Sequence, residues 1–265
     1  MVRTPISARG SARGARKALS QNFLHSPSVL RVIVRESGVH PGDLVLEPGA
    51  GEGTLTRALA GAARRIVAYE LDPALAARLP RRLDGLANVS VVAGDFLEAR
   101  APRAPFAVVG NIPYARTSAI VRWCLTAPRL TSATLLTQRE YARKRTGDYG
   151  RWSRQTVLTW PEFAWRLGPR VARHHFTPVP RTDSAVLVLR RRPTPLLPPD
   201  RLAAYRTLVT EGFTGVGGSL AATLSLRHRA GRVRAALHTA GVPPSAPVGL
   251  VTPDQWLRLF QQLRP

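Results

Sequence analysis

The sequence contains few of the residues that build disulfides, metal clusters or membrane spans. Cys124 is its only cysteine, so no disulfide forms within the chain and no cysteine cluster holds a metal. It has no run of about 18 apolar residues, and no signal-like segment precedes the first globular region. We therefore expect a cytoplasmic protein with no membrane partner and no metal site.

Acidic residues are also scarce, and this is the strongest bias in the composition. The chain has 39 lysines and arginines against 16 aspartates and glutamates, which gives a net charge of +23. Lys17 and Lys144 are the only lysines. GC-rich codon usage explains the preference for arginine over lysine, but not the excess of basic over acidic residues. Because guanidinium groups bind phosphate through paired donors, the charge favours RNA or DNA as the partner.

The pattern of apolar residues divides the chain into three regions. Residues 1–17 are polar and basic and predict a flexible arm, which either attracts nucleic acid or is a simple disordered tail. From residue 18 to residue 190, continuous apolar strands alternate with helical segments, a pattern typical of a doubly wound α/β domain with a parallel sheet. A basic, proline-rich segment at 190–200 ends this domain, and helical spacing across 200–265 predicts a small helical domain that binds RNA. The predicted helices are 28–38, 54–63, 74–83, 201–213, 232–241 and 252–263, and the predicted strands begin at residues 44, 65, 89 and 106.

A glycine-rich segment, EPGAGEG at 47–53, follows the first predicted strand and leads into a helix. Its G-x-G-x-G spacing differs from the G-x-G-x-x-G of a dinucleotide-binding loop. Gly49 and Gly51 permit a tight turn and close approach of a ligand, while Gly53 permits helix and strand to pack. The two glutamates of the segment would repel phosphate and suit a cationic ligand. We expect S-adenosylmethionine, which carries a sulfonium and an ammonium group but no phosphate.

Two further acidic residues follow the next predicted strands. Glu70 ends the second strand, 21 residues after Gly49, where an acid is expected to accept hydrogen bonds from ribose hydroxyls. Asp95 ends the third strand, where it can accept from an adenine amino group while Phe96 lines the ring. A single carboxylate is commonly a solvated loop residue. Acids at successive strand ends indicate a binding site instead.

The segment Asn111-Ile112-Pro113-Tyr114 closes the apolar run FAVVG. The exocyclic amino group of adenine or cytosine is a weak nucleophile because its lone pair is delocalised into the ring. The Asn111 amide oxygen and a backbone carbonyl held by the rigid Ile112-Pro113 segment can accept both amino hydrogens, which directs the lone pair towards an electrophile. Tyr114 can stack on the base. In isolation, these four residues also fit a β-turn.

Taken together, the motifs resemble the rRNA adenine-N6 dimethyltransferase family, and within it the Erm enzymes that confer macrolide resistance. The likeness rests on SQNFL at 20–24, EPGAGEG, Glu70, Asp95, NIPY at 111–114 and F-x-P-x-P-x-x-x-S at 176–184, which occur in family order; the C-terminal region matches only loosely. The resemblance implies a Rossmann-like, S-adenosylmethionine-dependent methyltransferase domain. It also implies that Tyr114 and Phe176 hold a flipped adenine, and that the cofactor is bound by Gln21, Asn22, Leu24, Gly49, Gly51, Glu70, Asp95, Phe96 and Asn111.

The expected partner is rRNA, with protein-free 23S rRNA preferred, bound by a monomer. Candidate phosphate contacts are Arg122 and the cluster of Arg139, Arg143, Lys144 and Arg145. A solvated helix face explains these residues equally well. No general base is evident, and none is required, because the methylated amine is acidic enough to lose its proton to water.

Three other functions remain open at this stage. The housekeeping branch of the family dimethylates adjacent adenines near the 3′ end of 16S rRNA. Ile112, the SQNFL context and the segment GFTGVGGSL at 212–220, which lacks a basic stretch, favour the Erm branch. A non-catalytic nucleic-acid-binding protein of this fold is disfavoured because the motifs are intact, and a small-molecule methyltransferase is disfavoured by the charge.

Overall fold

A computed structural model of the protein describes residues 22–216 and 218–263. Within these residues the chain forms two units: unit 1 comprises 22–139 and 168–187, and unit 2 comprises 140–167 and 188–263. The predicted basic arm at 1–17 and the predicted cofactor contact Gln21 lie outside the described residues.

The strands in the described residues are β1 (Phe23–Leu24), β2 (Leu44–Pro48), β3 (Arg65–Glu70), β4 (Val89–Ala93), β5 (Phe106–Asn111), β6 (Leu130–Gln138), β7 (Phe163–Val171), β8 (Phe176–Thr177) and β9 (Ser184–Arg191). The α-helices are α1 (Pro27–Ser37), α2 (Thr54–Ala60), α3 (Pro73–Ala76), α4 (Leu79–Arg82), α5 (Thr117–Thr126), α6 (Arg139–Arg145), α7 (Arg154–Thr159), α8 (Pro199–Gly212), α9 (Leu220–Ser225), α10 (Ala230–Ala240) and α11 (Pro253–Leu263).

A seven-stranded sheet has the order β4-β3-β2-β5-β6-β9-β7. Strands β4, β3, β2, β5 and β6 pair in parallel, as the continuous apolar runs predict. The chain passes outward from β2 to β3 and β4 and then returns to the other side of β2 as β5. Such a reversal opens a crevice at the carboxyl ends of β2 and β5, where ligands of open α/β sheets bind. Both EPGAGEG, after β2, and NIPY, at the end of β5, therefore lie at the switch point.

The single helix predicted over 74–83 is wrong, because the segment forms two short helices, α3 and α4, which meet near Arg78. Pro80 has no N–H to donate to the carbonyl four residues earlier, and its ring would clash with that carbonyl. The helix predicted over 28–38 is confirmed as α1. It ends at Gly38, whose φ of 62° and N–H bond to the Arg35 carbonyl complete a left-handed cap.

Unit 2 is built mainly from helices, as predicted, but it does not begin at residue 200. Segment 140–167 belongs to it as well. The physical reason is visible at α7, where Val157 is buried in the apolar core of unit 2 and its carbonyl accepts a hydrogen bond from the Tyr205 hydroxyl at 3.0 Å. A boundary drawn from composition alone treats each domain as one continuous stretch of chain.

Within residues 22–216 and 218–263, we find no helix that combines the length and the apolar character needed to cross a membrane.

Candidate active site

A cavity in unit 1 lies at the carboxyl ends of the parallel strands. It brings together residues that are spread over 90 positions of sequence and that the motifs predict to act together. Those of the predicted site residues that line it are Asn22, Leu24, Gly49, Gly51, Glu70, Asp95, Phe96, Asn111, Ile112, Pro113 and Tyr114.

The N–H groups of the glycine-rich loop donate within the protein. Those of Gly49 and Ala50 both donate to the Tyr69 carbonyl at 2.9 Å, and that of Gly51 donates to Glu70 Oε2 at 2.6 Å. Gly53 donates to the Ala50 carbonyl at 2.9 Å. A phosphate-binding loop needs such donors for its ligand. Their engagement within the protein supports the expectation of a ligand that carries no phosphate.

Gly53 has a φ of +81°, a conformation that residues with a side chain rarely adopt. A Cβ at this position would lie 3.0 Å from a methyl group of Leu83 and 3.1 Å from one of Leu79. The sequence predicts that Gly53 lets a helix pack against a strand, but the close neighbours are these leucines at α4. The glycine therefore allows the loop to lie against α4.

The Glu70 carboxylate is held rigidly at the end of β3. It is 2% exposed, and its two oxygens accept from the N–H groups of Gly51, at 2.6 Å, and Asp72, at 2.8 Å. Burial raises the pKa of Glu70, while these backbone donors oppose the shift. The Leu71 N–H also lowers the pKa of this carboxyl, and the Glu70 side chain lines the cavity. The predicted contact with ribose hydroxyls is compatible with this geometry.

The sequence predicts a charged Glu47 side chain, and the structure shows a buried one. Its side chain is 1% exposed, and its Oε2 has no hydrogen-bond partner. Burial raises the pKa of Glu47 to about 8, and repulsion from Glu70 adds to this. The neighbouring Thr56 hydroxyl opposes the shift, although the two groups are not in hydrogen-bond geometry. The carboxyl is therefore mostly protonated at pH 7, and the prediction that Glu47 repels phosphate is wrong.

Asp95 also has partners that the sequence did not indicate. Its Oδ1 accepts from the Leu97 N–H at 2.9 Å, and its Oδ2 forms an ion pair with the Arg116 guanidinium. Arg116 lines the same cavity, two residues beyond the NIPY motif. An adenine amino group would share the Asp95 carboxylate with Arg116. Phe96 beside it packs on Trp123, with ring centroids 4.5 Å apart.

The Asn111 amide is oriented by the N-terminal segment. Its Nδ2 donates to the backbone carbonyl of Asn22 at 2.9 Å. A carbonyl accepts only from the NH₂ side of an amide, so this bond fixes which side is oxygen. The side-chain oxygen is thereby left as an acceptor within the cavity lining.

Tyr114 and Phe176, the two aromatic residues predicted to hold the adenine, differ in their surroundings. Tyr114 lines the cavity, and its hydroxyl lies 2.6 Å from Ser184 Oγ. Phe176 is 1% exposed, and in β8 it pairs with Leu24 of β1. It is not part of the cavity lining in the described residues. In this structure Phe176 packs the N-terminal strand, and its contact with an adenine stays a prediction.

The predicted phosphate contacts are only partly available. Arg143 pairs with Asp148 and lies over the Tyr149 ring, 3.9 Å from its centroid. Arg145 donates to Ser153 Oγ at 3.0 Å. Lys144 and Arg122 are exposed, and Arg139 is half-buried. Charge density in the sequence does not separate basic side chains that face solvent from those that stabilise the protein.

The described residues contain no group of three or more histidine, cysteine, aspartate or glutamate side chains arranged to hold a metal ion.

Comparison with known proteins agrees with this geometry. The family model for ribosomal RNA adenine dimethylase matches residues 12–264. An rRNA adenine N-6-methyltransferase of Streptomyces fradiae is 54% identical over 253 residues, which cover 95% of this chain and 79% of that protein. The mycinamicin-resistance protein MyrB of Micromonospora griseorubida is 37% identical over 257 residues, which cover 96% of this chain and 80% of that protein.

Among solved structures, that of the 23S rRNA methyltransferase ErmE is 51% identical, with a TM-score of 0.90, and the match covers 92% of this chain and 100% of that chain. This likeness supports the Rossmann-like methyltransferase fold with its C-terminal helical region. Since the family model and these relatives span nearly the whole sequence, the chain belongs to the ribosomal RNA adenine dimethylase family of methyltransferases.

Proposed function

We propose that this protein methylates N6 of one adenine in 23S rRNA, with S-adenosylmethionine as methyl donor, and thereby confers macrolide resistance. The observation that carries the proposal is the Asn111 amide at the switch point of the sheet. Its nitrogen is committed to the Asn22 carbonyl, so its oxygen is presented as an acceptor beside Tyr114. An enzyme that directs the lone pair of an exocyclic amine needs such an acceptor.

The cavity residues fit S-adenosylmethionine. The Glu70 carboxylate lines the cavity where ribose hydroxyls would bind, Asp95 lies where it can accept from an adenine amino group, and Phe96 supplies an apolar surface. The engaged N–H groups of the loop argue against a pyrophosphate in the same place. When bound, the cofactor supplies an electrophilic methyl group on a positively charged sulfur.

The residues of NIPY would hold the target base. The Pro113 carbonyl already accepts from the Arg116 N–H at 2.9 Å, so the second acceptor of our proposal is the carbonyl of Ile112. Asn111 Oδ1 and this carbonyl accept the two amino hydrogens, and Tyr114 stacks on the ring. The proton released on methylation passes to water. Flipping is least costly for an unpaired adenine, which favours a single-stranded rRNA target.

The choice of 23S over 16S rRNA is supported by the 51% identity to ErmE across 92% of the chain and by the resistance named for MyrB. The GFTGVGGSL segment without basic residues points the same way. A methyl group at N6 would occupy space where a macrolide packs and would remove a hydrogen that the drug can accept.

Methylation of purified rRNA tests the reaction directly. Protein-free 23S and 16S rRNA are each incubated with the enzyme and radiolabelled S-adenosylmethionine, and the modified base is mapped by primer extension. We expect a stop at one unpaired adenine of the peptidyl-transferase region of 23S rRNA. Modification of paired adenines near the 3′ end of 16S rRNA alone would assign the protein to the housekeeping branch.

Expression in a susceptible bacterium tests the resistance. The minimum inhibitory concentration of a macrolide should rise with the wild-type protein and should stay at the vector level with Asn111→Ala. An increase that is equal for both proteins would show that the effect does not come from methylation.

A further inference from the structure

Two residues of unit 1 that are 70 positions apart meet at the edge of the cavity. Tyr114, the last residue of the NIPY motif, opens a short 3₁₀ helix, and Ser184 is the first residue of β9. The Tyr114 hydroxyl lies 2.6 Å from Ser184 Oγ. Ser184 is completely buried, whereas Tyr114 lines the cavity. The bond therefore joins a residue of the buried interior, Ser184, to a residue of the cavity wall, Tyr114.

The backbone at Ser184 is anchored through its neighbour, Asp183. The Asp183 carboxylate pairs with the Arg170 guanidinium and accepts the Arg173 N–H at 3.0 Å, while the Asp183 carbonyl accepts the Arg139 N–H at 2.9 Å. The Arg170 guanidinium, with the Arg173 N–H, holds the pKa of Asp183 below its usual range. The backbone of Ser184 is therefore held in place, and its hydroxyl can position the Tyr114 side chain.

We infer that Ser184 is a positioning residue that fixes the place of the Tyr114 ring in the cavity, where it can stack on the target base. The inference deepens the proposed function and rests on it. A tyrosine ring rotates about two torsions, and its hydroxyl lies at the end farthest from the backbone. The hydroxyl oxygen lies on the axis of the second torsion, so a bond at that oxygen restricts the first torsion, χ1, which decides where the ring lies.

The protonation state of the Tyr114 phenol is compatible with this role. Burial raises the pKa of Tyr114, with the Ser184 hydroxyl opposing the shift. The phenol therefore keeps its proton at neutral pH, and the two hydroxyls can act as a donor and acceptor pair. A ring that is already ordered loses less freedom when a base stacks on it, so the bond should favour capture of the flipped adenine.

The test compares Ser184→Ala, Tyr114→Phe and the double variant in single-turnover methylation of an RNA hairpin that carries the target adenine. Each single variant should lower kcat/KM for RNA roughly tenfold, the size expected for loss of one hydrogen bond. The affinity for S-adenosylmethionine, measured by calorimetry, should not change. The double variant should be no worse than either single variant, because both remove the same bond.

A matched control is Ser37→Ala. This serine is also buried, and its hydroxyl donates to the Val34 carbonyl at 2.6 Å within α1. It should lower the melting temperature without changing kcat/KM. If Ser184→Ala behaves like Ser37→Ala, or if the effects of Ser184→Ala and Tyr114→Phe simply add, Ser184 has only a structural role and the inference is wrong.

Base stacking is observed directly when 2-aminopurine replaces the target adenine. Its fluorescence in the complex with wild-type protein should be quenched by stacking, and Ser184→Ala should restore part of the emission. An unchanged signal would overturn the inference while leaving the proposed methylation intact.

One measurement is independent of the RNA. In the free protein labelled with ¹³C-tyrosine, the resonances of Tyr114, identified by their loss in Tyr114→Phe, should report a single χ1 rotamer in the wild type and averaging between rotamers in Ser184→Ala. Equal rotamer averaging in the two proteins would refute the positioning role. If wild-type protein methylates no rRNA, the proposed function fails, and this measurement still decides whether Ser184 orders the ring.

Discussion

The cavity of unit 1 and the basic segment of unit 2 at 140–153 represent two ways in which polar residues are used. In the cavity, polar side chains from separate parts of the chain converge, and those of Glu70, Asp95 and Asn111 are each held by a hydrogen-bond partner. In the basic segment, charge is dense in sequence, yet Arg143 and Arg145 bind Asp148 and Ser153 close by. Motif spacing predicts side chains that converge, whereas charge density predicts only where basic residues are plentiful.

The largest expected effect concerns Glu47, whose buried carboxyl has one oxygen without a hydrogen-bond partner. Its pKa lies near 8 in the folded protein against about 4.5 as the reference. The folded state therefore binds the proton more tightly, and this contribution to stability is present at low pH and is lost as pH rises from about 4.5 to about 8. The loss amounts to about 3 to 5 kcal/mol, since one pKa unit is worth about 1.4 kcal/mol.

Calorimetric melting between about pH 5 and pH 9 checks this prediction. Glu47→Gln should flatten the decline in melting temperature relative to the wild type. Glu52→Gln is the control, because Glu52 is partly exposed and pairs with Arg82 at 3.6 Å, and it should leave the slope unchanged. Parallel curves for the wild type and Glu47→Gln would show that Glu47 is ionised in the cavity.

The second prediction concerns Asn111. Asn111→Ala should reduce methyl transfer by 10²-fold or more, about 3 kcal/mol, if its loss resembles the removal of an oxyanion-hole donor. RNA affinity, measured by filter binding, should change little. Asn111→Asp is a sharper variant, because a carboxylate cannot donate to the Asn22 carbonyl. Near-normal turnover of either variant would make NIPY a simple turn.

Glu70→Ala should weaken the binding of S-adenosylmethionine by about 1.5 to 3 kcal/mol, the value of a hydrogen bond to a charged group. Glu70→Gln keeps one acceptor oxygen and should lose less. Titration calorimetry measures both affinities, with NAD as a ligand that should not bind to any of the proteins. An unaltered affinity in Glu70→Ala, or binding of NAD, would contradict the cofactor assignment.

The smallest expected effects distinguish Lys144 from its neighbour Arg145 in unit 2, one in RNA binding and one in stability. Lys144→Ala should weaken RNA binding and reduce the salt slope by about 0.7, the value for one single-strand phosphate contact, without changing the melting temperature. Arg145→Ala should lower stability by about 1 kcal/mol, because the bond to Ser153 Oγ is lost. A salt slope that does not change in Lys144→Ala, or in the triple variant with Arg143 and Arg145 also changed to alanine, would make the cluster a solvated face.

Local features of the fold followed from the sequence because they depend on neighbouring residues. The apolar runs placed β2, β3, β4 and β5, and Gly38 ended α1 in the conformation that glycine adopts without strain. The alternation of strands and helices placed the carboxyl ends of the strands at one edge of the sheet. For the same reason, the sequence predicts that the motif residues at these strand ends lie close together.

Only the tertiary structure decided which partner each of these side chains has. Asn111 meets Asn22 across 89 positions, Tyr114 meets Ser184 across 70, and Arg116 meets Asp95 across 21. Such pairs depend on strand order and on the packing of distant segments, for which no local spacing rule exists. Burial likewise raises the pKa of Glu47, strand pairing places Phe176 beside Leu24 of β1, and core packing at Val157 joins segment 140–167 to unit 2, because the environment of a side chain is a property of the whole fold.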